Sequence, residues 1–191
     1  MDNRKKKNSH IFLKAFLKNP LRTGSVVQSS PQLTNKMVES IDFRGAKHIV
    51  ELGPGKGVIT WKILSKMEKD AILFCFEIEP SLAEYIRKTI KDPRLIVIND
   101  NAEKIGWYLQ KYGLQKVDHI ISSLPLASLP KKTSQSIVQC AYEYLRSDGQ
   151  YVQFQYSLVS LKSFRKIFSV VSISFVFLNF PPAFVYVCVK T

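Results

Sequence analysis

Three carboxylates and three glycines fall where a chain could hold a ligand. Glu51-Leu52-Gly53-Pro54-Gly55-Lys56-Gly57 ends the apolar run from Ala46 to Leu52. Gly53, Gly55 and Gly57 suit a turn in which the main chain bends sharply and approaches a bound molecule. The GxGxG spacing is one residue tighter than the GxGxxG of dinucleotide folds. Glu77 closes the next apolar run, 20 residues after Gly57, where a carboxylate accepts hydrogen bonds from ribose hydroxyls. Asp100 closes the third run within Asn99-Asp100-Asn101-Ala102 and is placed to accept from an adenine amino group. Singly, each acid also suits a solvated turn. On three successive run ends, Glu51, Glu77 and Asp100 describe an adenosine site, with Ile78, Asn101 and Ala102 beside them.

A second constellation is Ser122-Ser123-Leu124-Pro125-Leu126, after the run Val117 to Ile121. Chemistry on an extruded adenine needs an aromatic platform and a polar acceptor for its amino group. Leu126 cannot stack a base, and Ser123 is a poorer acceptor than an amide. The segment suits a smaller amine instead. The Ser122 and Ser123 hydroxyls could orient it, and the apolar wall Leu124-Pro125-Leu126 would favour its uncharged form by desolvation. No residue reads as a general base. His119 lies mid-strand as a core residue, and His10 and His48 are no better placed.

These residues need strand ends to carry them. From about residue 45, strand-like and helix-like segments alternate: strands at 46–52, 71–77, 94–98, 117–122 and 149–156, helices at 57–67, 80–90, 102–112, 133–145 and 160–168. Such alternation predicts right-handed crossovers and a mostly parallel sheet with helices on both faces. The last two β-rich runs, 170–178 and 183–190, are joined by only Asn179 to Pro182. So short a link forces them antiparallel. The expectation is an α/β, Rossmann-like fold: a seven-stranded, mostly parallel sheet with a C-terminal antiparallel hairpin, plus an N-terminal helix. That architecture is the S-adenosylmethionine-dependent methyltransferase fold, and S-adenosylmethionine is the expected cofactor.

Lys and Arg number 28 against 15 Asp and Glu, a net charge of +13. Such an excess predicts an anionic partner, nucleic acid or anionic lipid. It is front-loaded, with Arg4-Lys5-Lys6-Lys7 followed by "SHIFLKAFLK". Read as a helix, the latter puts Phe12 and Phe16 on an apolar arc and Lys14 and Lys18 on a basic one. This pattern suits an interfacial helix, and equally a helix packed on the protein's own sheet. Lys5, Lys6, Lys7, Phe12, Lys14, Phe16 and Lys18 are the expected membrane contacts. Residues 1–22 then form a basic amphipathic segment and 23–191 the catalytic domain. The longest apolar stretch, Val170 to Phe180, is too short to span a bilayer, and no secretory signal is visible. Cys75, Cys140 and Cys188 show neither disulfide nor metal spacing and read as buried free thiols. No metal site is expected.

"IVELGPGKGVIT" resembles the ribosomal RNA adenine dimethylases and, more closely, the bacterial phospholipid N-methyltransferases related to them. Three stretches favour the second family. Gly24 to Ser30 resembles its GAVxPSS segment, with Gln28 departing from the pattern; "SSLPLASLP" is similar to its strand-four signature; "NFPPAFVY" resembles its N-x-P-P-A-x-V hairpin. The resemblance covers roughly residues 11–190 and adds Gln28 and Ser29 to the cofactor contacts. It implies methyl transfer to the amine of phosphatidylethanolamine, toward phosphatidylcholine, by a cytoplasmic enzyme peripherally bound to the inner face of the membrane. The ribosomal RNA enzymes carry an additional C-terminal helical domain, for which nothing here can serve. Two alternatives stand: an RNA adenine N-methyltransferase, favoured by the charge and with nucleic acid as partner, and an inactive methyltransferase-fold binding protein.

Overall fold

In the computed structural model, residues 29–191 are described. The first helix, α1 (Pro31–Glu39), precedes the alternating pattern. Ser30 caps it, its Oγ accepting from the Leu33 N–H at 3.1 Å, and Pro31 takes the first turn, where a missing N–H leaves nothing unpaired. Leu33, Met37 and Val38 are buried beneath it.

Five βα steps then build the sheet: β1 (His48–Leu52), α2 (Val58–Leu64), β2 (Ile72–Phe76), α3 (Pro80–Thr89), β3 (Leu95–Ile98), α4 (Ile105–Lys111), β4 (Val117–Ser122), α5 (Lys131–Tyr144), β5 (Leu145–Gln155) and α6 (Leu161–Ile167). The hairpin β6 (Val170–Val176) and β7 (Ala183–Val189) completes it. The strand order is β3-β2-β1-β4-β5-β7-β6, parallel through β5 and antiparallel at β7 and β6. The expected sheet and its antiparallel hairpin are the observed ones, while the expected N-terminal helix lies outside the described residues. Element ends differ by a few residues. The expected helix at 102–112 opens with a 3₁₀ turn, Ala102–Lys104, before α4.

Strands covered on both faces read as continuous apolar runs, and here alternate residues divide between two layers. Val50, Leu52, Phe74 and Phe76 pack with α4, α5 and α6 through Ile105, Leu109, Val138 and Phe164. Ile49, Leu73, Cys75 and Ile121 pack with α1, α2 and α3 through Met37, Ile63 and Ile86. Glu51, opposite Cys75 in the ladder, falls on the second of these faces.

β5 starts four residues earlier than its pattern. Val117 pairs with Leu145 and His119 with Gln150, so four residues on β5 lie opposite Asp118 alone on β4, and the surplus bulges outward. Asp148, at φ 61°, lies within it. Nearby, Asp118 accepts from the Lys47 and His48 N–H groups, each at 2.8 Å, and pairs with Arg146 at 3.0 Å. Those contacts fix the amino ends of β1, β4 and β5 and leave the carboxyl ends to carry the site.

Candidate functional site

Order reverses between β1 and β4, the point at which open α/β sheets hold ligands at their carboxyl edge. The ladder continues past the strand ends. Gly53 N–H donates to Phe76 O, Glu77 N–H to Ile98 O and Ser123 N–H to Leu52 O, each at 2.9 Å. Three successive loops are thereby registered on one another.

The glycines divide by what surrounds them, and all three have positive φ. A Cβ on Gly53 would come 2.8 Å from Leu124 Cδ2, and one on Gly57 would come 2.9 Å from Ile90 Cδ1. Those two close the turn against protein. At Gly55 a Cβ would meet nothing within 4 Å, so Gly55 faces open space. Its N–H donates to Glu77 Oε2 at 3.1 Å, while Glu77 Oε1 accepts from Glu79 N–H at 2.9 Å. Burial pushes the Glu77 carboxyl up from its ordinary range, against the pull of those N–H donors. Each Glu77 oxygen keeps a second lone pair, enough for two ribose hydroxyls. Ile78 is half-buried beside it.

Asp100 is more heavily engaged. Its Oδ1 accepts from Asn101 N–H at 2.8 Å, and its Oδ2 from Lys104 Nζ at 2.8 Å and Tyr108 OH at 3.0 Å. Burial raises its carboxyl, but Lys104, Asn101 and Tyr108 together bring it below the usual range, so it is a fixed carboxylate. Asn101 caps the 3₁₀ turn through Glu103 N–H at 3.0 Å. Ala102, 6% exposed, packs in the core.

Glu51 is a correction. Its side chain has 0% exposure and points under α2, where Oε2 accepts from Thr60 Oγ1 at 2.7 Å and Cys75 Sγ at 3.1 Å. Burial pushes its carboxyl up to about 7. Its parity on β1 is opposite to that of Val50 and Leu52, so it braces the turn from below, with Oε1 left without a hydrogen-bond partner.

The strand-four exit brings further corrections. Ser122 has 0% exposure and sits between Leu52 and Gln153, its Oγ accepting from the Leu124 N–H at 3.4 Å. Ser123 Oγ is a buried hydroxyl with no hydrogen-bond partner. Leu126, 3% exposed, packs in the core with Val138 and Phe164; Leu124, 7% exposed, belongs to the same cluster and rests against Gly53, and Pro125 is half-buried. Cys140 is half-buried, while Cys75 and Cys188 are buried thiols as expected.

Two residues escape the sequence reading. Gln153 Nε2 donates to Leu124 O at 3.0 Å and its Oε1 accepts from Tyr151 OH at 2.8 Å. Gln155 Nε2 reaches Leu124 O and its Oε1 accepts from Ala127 N–H, both at 3.4 Å. Together they hold segment 124–127 in place. Their signal was visible: two glutamines on either side of Phe154, in the apolar carboxyl-terminal half of β5.

His119 is 3% exposed, neither ring nitrogen is hydrogen-bonded, and burial lowers its pKa; it is the core residue expected. Ser29 lines a cavity of about 580 Å³ between α1 and α2, with Thr34, Val58 and Trp61. Gln28 and the basic-apolar set Lys5, Lys6, Lys7, Phe12, Lys14, Phe16 and Lys18 lie outside the described residues. Among the described residues no cluster of His, Cys, Asp and Glu could hold a metal ion, and no helix is long and apolar enough to cross a membrane.

A seven-stranded sheet of this order, with a Gly turn open at Gly55 and a ribose-type acid beside it, defines a methyltransferase that uses S-adenosylmethionine. Solved structures share the fold: an O-methyltransferase from Bacillus cereus in complex with SAH (TM-score 0.69, 13% identity, 94% of this chain and 91% of that one) and a precorrin-6y C5,15-methyltransferase from Geobacter metallireducens (0.67, 15%, 84% and 88%). Residues 18–163 match the ribosomal RNA adenine dimethylase family, and the chain belongs to it. An ornithine lipid N-methyltransferase from Singulisphaera acidiphila is 28% identical over 95% of this chain and 96% of its own length. A ribosomal RNA small subunit methyltransferase A from Mesomycoplasma hyopneumoniae is 30% identical over 54% of this chain, which covers 37% of that protein.

Proposed function

We propose that this methyltransferase acts on the aliphatic amine of a lipid headgroup, phosphatidylethanolamine in the first instance, yielding the methylated forms that lead to phosphatidylcholine. The observation that carries this reading is the strand-four exit: residues 123–126 are Ser-Leu-Pro-Leu, with no flat side chain to stack a base, and with Leu126 turned inward. The match to a lipid N-methyltransferase over nearly the full length of both chains supports it. That relative's name makes an ornithine headgroup the second acceptor to examine.

S-adenosylmethionine supplies a methyl carbon activated by the adjoining sulfonium. Glu77 would accept from the ribose hydroxyls and Asp100 from the adenine amino group, with the Gly55 turn leaving room for the chain between. Leu124 and Pro125 exclude water from the amine. A lipid ammonium has a pKa of roughly 10, and desolvation against that wall favours loss of its proton to bulk water as the amine enters. The nitrogen lone pair then takes the methyl carbon as the carbon–sulfur bond breaks, its electron pair staying on sulfur. With no acid–base side chain at the wall, most of the acceleration would come from in-line placement of the amine. Ser123 Oγ, unpartnered and at the strand end, is the group here that could orient it.

RNA adenine methylation is the second reading, favoured by the family match and by the net charge of +13. Radiolabelled S-adenosylmethionine offered with phosphatidylethanolamine vesicles, ornithine-lipid vesicles and ribosomal RNA separates the two. Label should enter phosphatidylethanolamine. Label in RNA alone overturns the lipid reading, and label confined to ornithine lipid replaces the headgroup.

A further inference from the structure

The β6–β7 turn carries Phe177, Leu178 and Phe180 at 67–82% exposure, a large outward apolar surface on six residues. The turn is built. Its Asn179 is buried, accepts from Ser30 N–H at 3.0 Å and donates to Pro181 O at 2.6 Å, so the inward amide holds the three apolar neighbours outward. Gln155 at the end of β5 pairs with Phe184 near the start of β7. The turn and the 156–160 loop therefore leave adjacent strands at the same end, and that loop exposes Leu158 and Val159. This end is the carboxyl edge of β5, the edge that carries Gly55, Glu77 and the strand-four exit.

The charge beside the turn, on α5 and α6, is basic at this edge. Lys131 and Lys132 open α5 from the strand-four exit, and Lys162, Arg165 and Lys166 lie on α6; all five are exposed, and none pairs with a carboxylate among the described residues. From Ser122 to Thr191 the acids are Glu143 and Asp148, which lie at the end of α5 and near the start of β5, the opposite edge. Cations flanking a protruding apolar tip fit the interface of an anionic bilayer, where apolar side chains bury among acyl chains and cations meet headgroups. Single-stranded RNA would match the charge and could stack on the phenylalanines, but Leu158, Val159 and Leu178 offer no stacking face.

We propose that the 177–182 turn, with Leu158 and Val159, inserts into an anionic membrane surface and sets the carboxyl edge of the sheet against it. The proposal rests on the lipid reading above, and its test is independent of turnover. In the full chain, Trp61→Phe and Trp107→Phe remove the native tryptophans and Phe180→Trp adds a reporter; retained S-adenosylmethionine binding shows that the variant is folded. With phosphatidylglycerol-containing vesicles, Trp fluorescence should be quenched by brominated acyl chains. Separately, Phe177→Ser with Leu178→Ser and Phe180→Ser should weaken vesicle partitioning tenfold or more while cofactor binding holds. Vesicle-bound protein whose reporter is unquenched overturns the proposal, as does failure to bind vesicles, or a reporter perturbed by an RNA oligonucleotide but not by lipid. Quenching in a protein that methylates only RNA would leave the docking surface standing and remove the headgroup assignment alone.

Discussion

At the scale of single residues, the carboxylates were legible by position but not by direction. Glu77 and Asp100 lie just past the last residues of β2 and β3 and reach the carboxyl edge. Glu51 also stands at a strand end, yet the two-residue alternation turns it under α2. Gln153 and Gln155 stood out as polar residues, but their shared partner, Leu124 O, was hidden because it lies about thirty residues away in sequence. Glu77→Ala should weaken S-adenosylmethionine binding by about 1–3 kcal/mol through lost charge-assisted bonds, read by calorimetric titration; unchanged affinity would undo the ribose assignment. Gln153→Leu should leave Leu124 O short of a donor and lower thermal stability by about 1–3 kcal/mol, a loss that denaturant unfolding would register.

At the scale of elements, the repeated strand–helix pattern was readable because buried parallel strands need unbroken apolar runs. α1 was not, since its Pro-Gln-Leu-Thr-Asn-Lys sequence gains its helix from Ser30 and its anchoring from the sheet face below. The early start of β5 was hidden as well, because Arg146 to Gly149 reads as a turn and only pairing with β4 and β7 makes it strand. The glycine turn yields a contrast between neighbours. Gly53→Ala meets Leu124 and a strained φ of 70°, and should cost folding stability by about 1–3 kcal/mol. Gly55→Ala carries strain at φ 58° without a collision, so its main effect should fall on cofactor affinity. Equal losses of cofactor binding after correction for stability would refute the distinction.

At the scale of the molecule, buried ionisable groups set how stability follows pH. The Glu51 pKa rises from an ordinary 4.5 to about 7 in the fold, so the folded state holds its proton after the unfolded chain has released it. Its contribution therefore declines as pH rises from about 4.5 to 7, by at most about 3 kcal/mol. Glu77, also raised, acts in the same sense. His119, lowered by burial, acts oppositely, losing stability as pH falls. Glu51→Gln mimics the protonated acid, so it should match the native chain near pH 5 and exceed it near pH 8 in urea midpoints. An equally steep decline in the variant would assign the effect elsewhere. The basic surface predicts a second global property: vesicle association should weaken as sodium chloride is raised toward 0.5 M, because screening shortens the reach of surface charge.

The seat of Leu124 on Gly53 carries a lesson for anyone redesigning this catalyst. The side chain most exposed to selection for a new acceptor is also the cushion on which the nucleoside loop rests. Bulk added at position 124 to exclude one headgroup would lift that loop, and bulk removed would let it sag. Retuning acceptor choice here therefore calls for paired exchanges across both loops, never a solitary one.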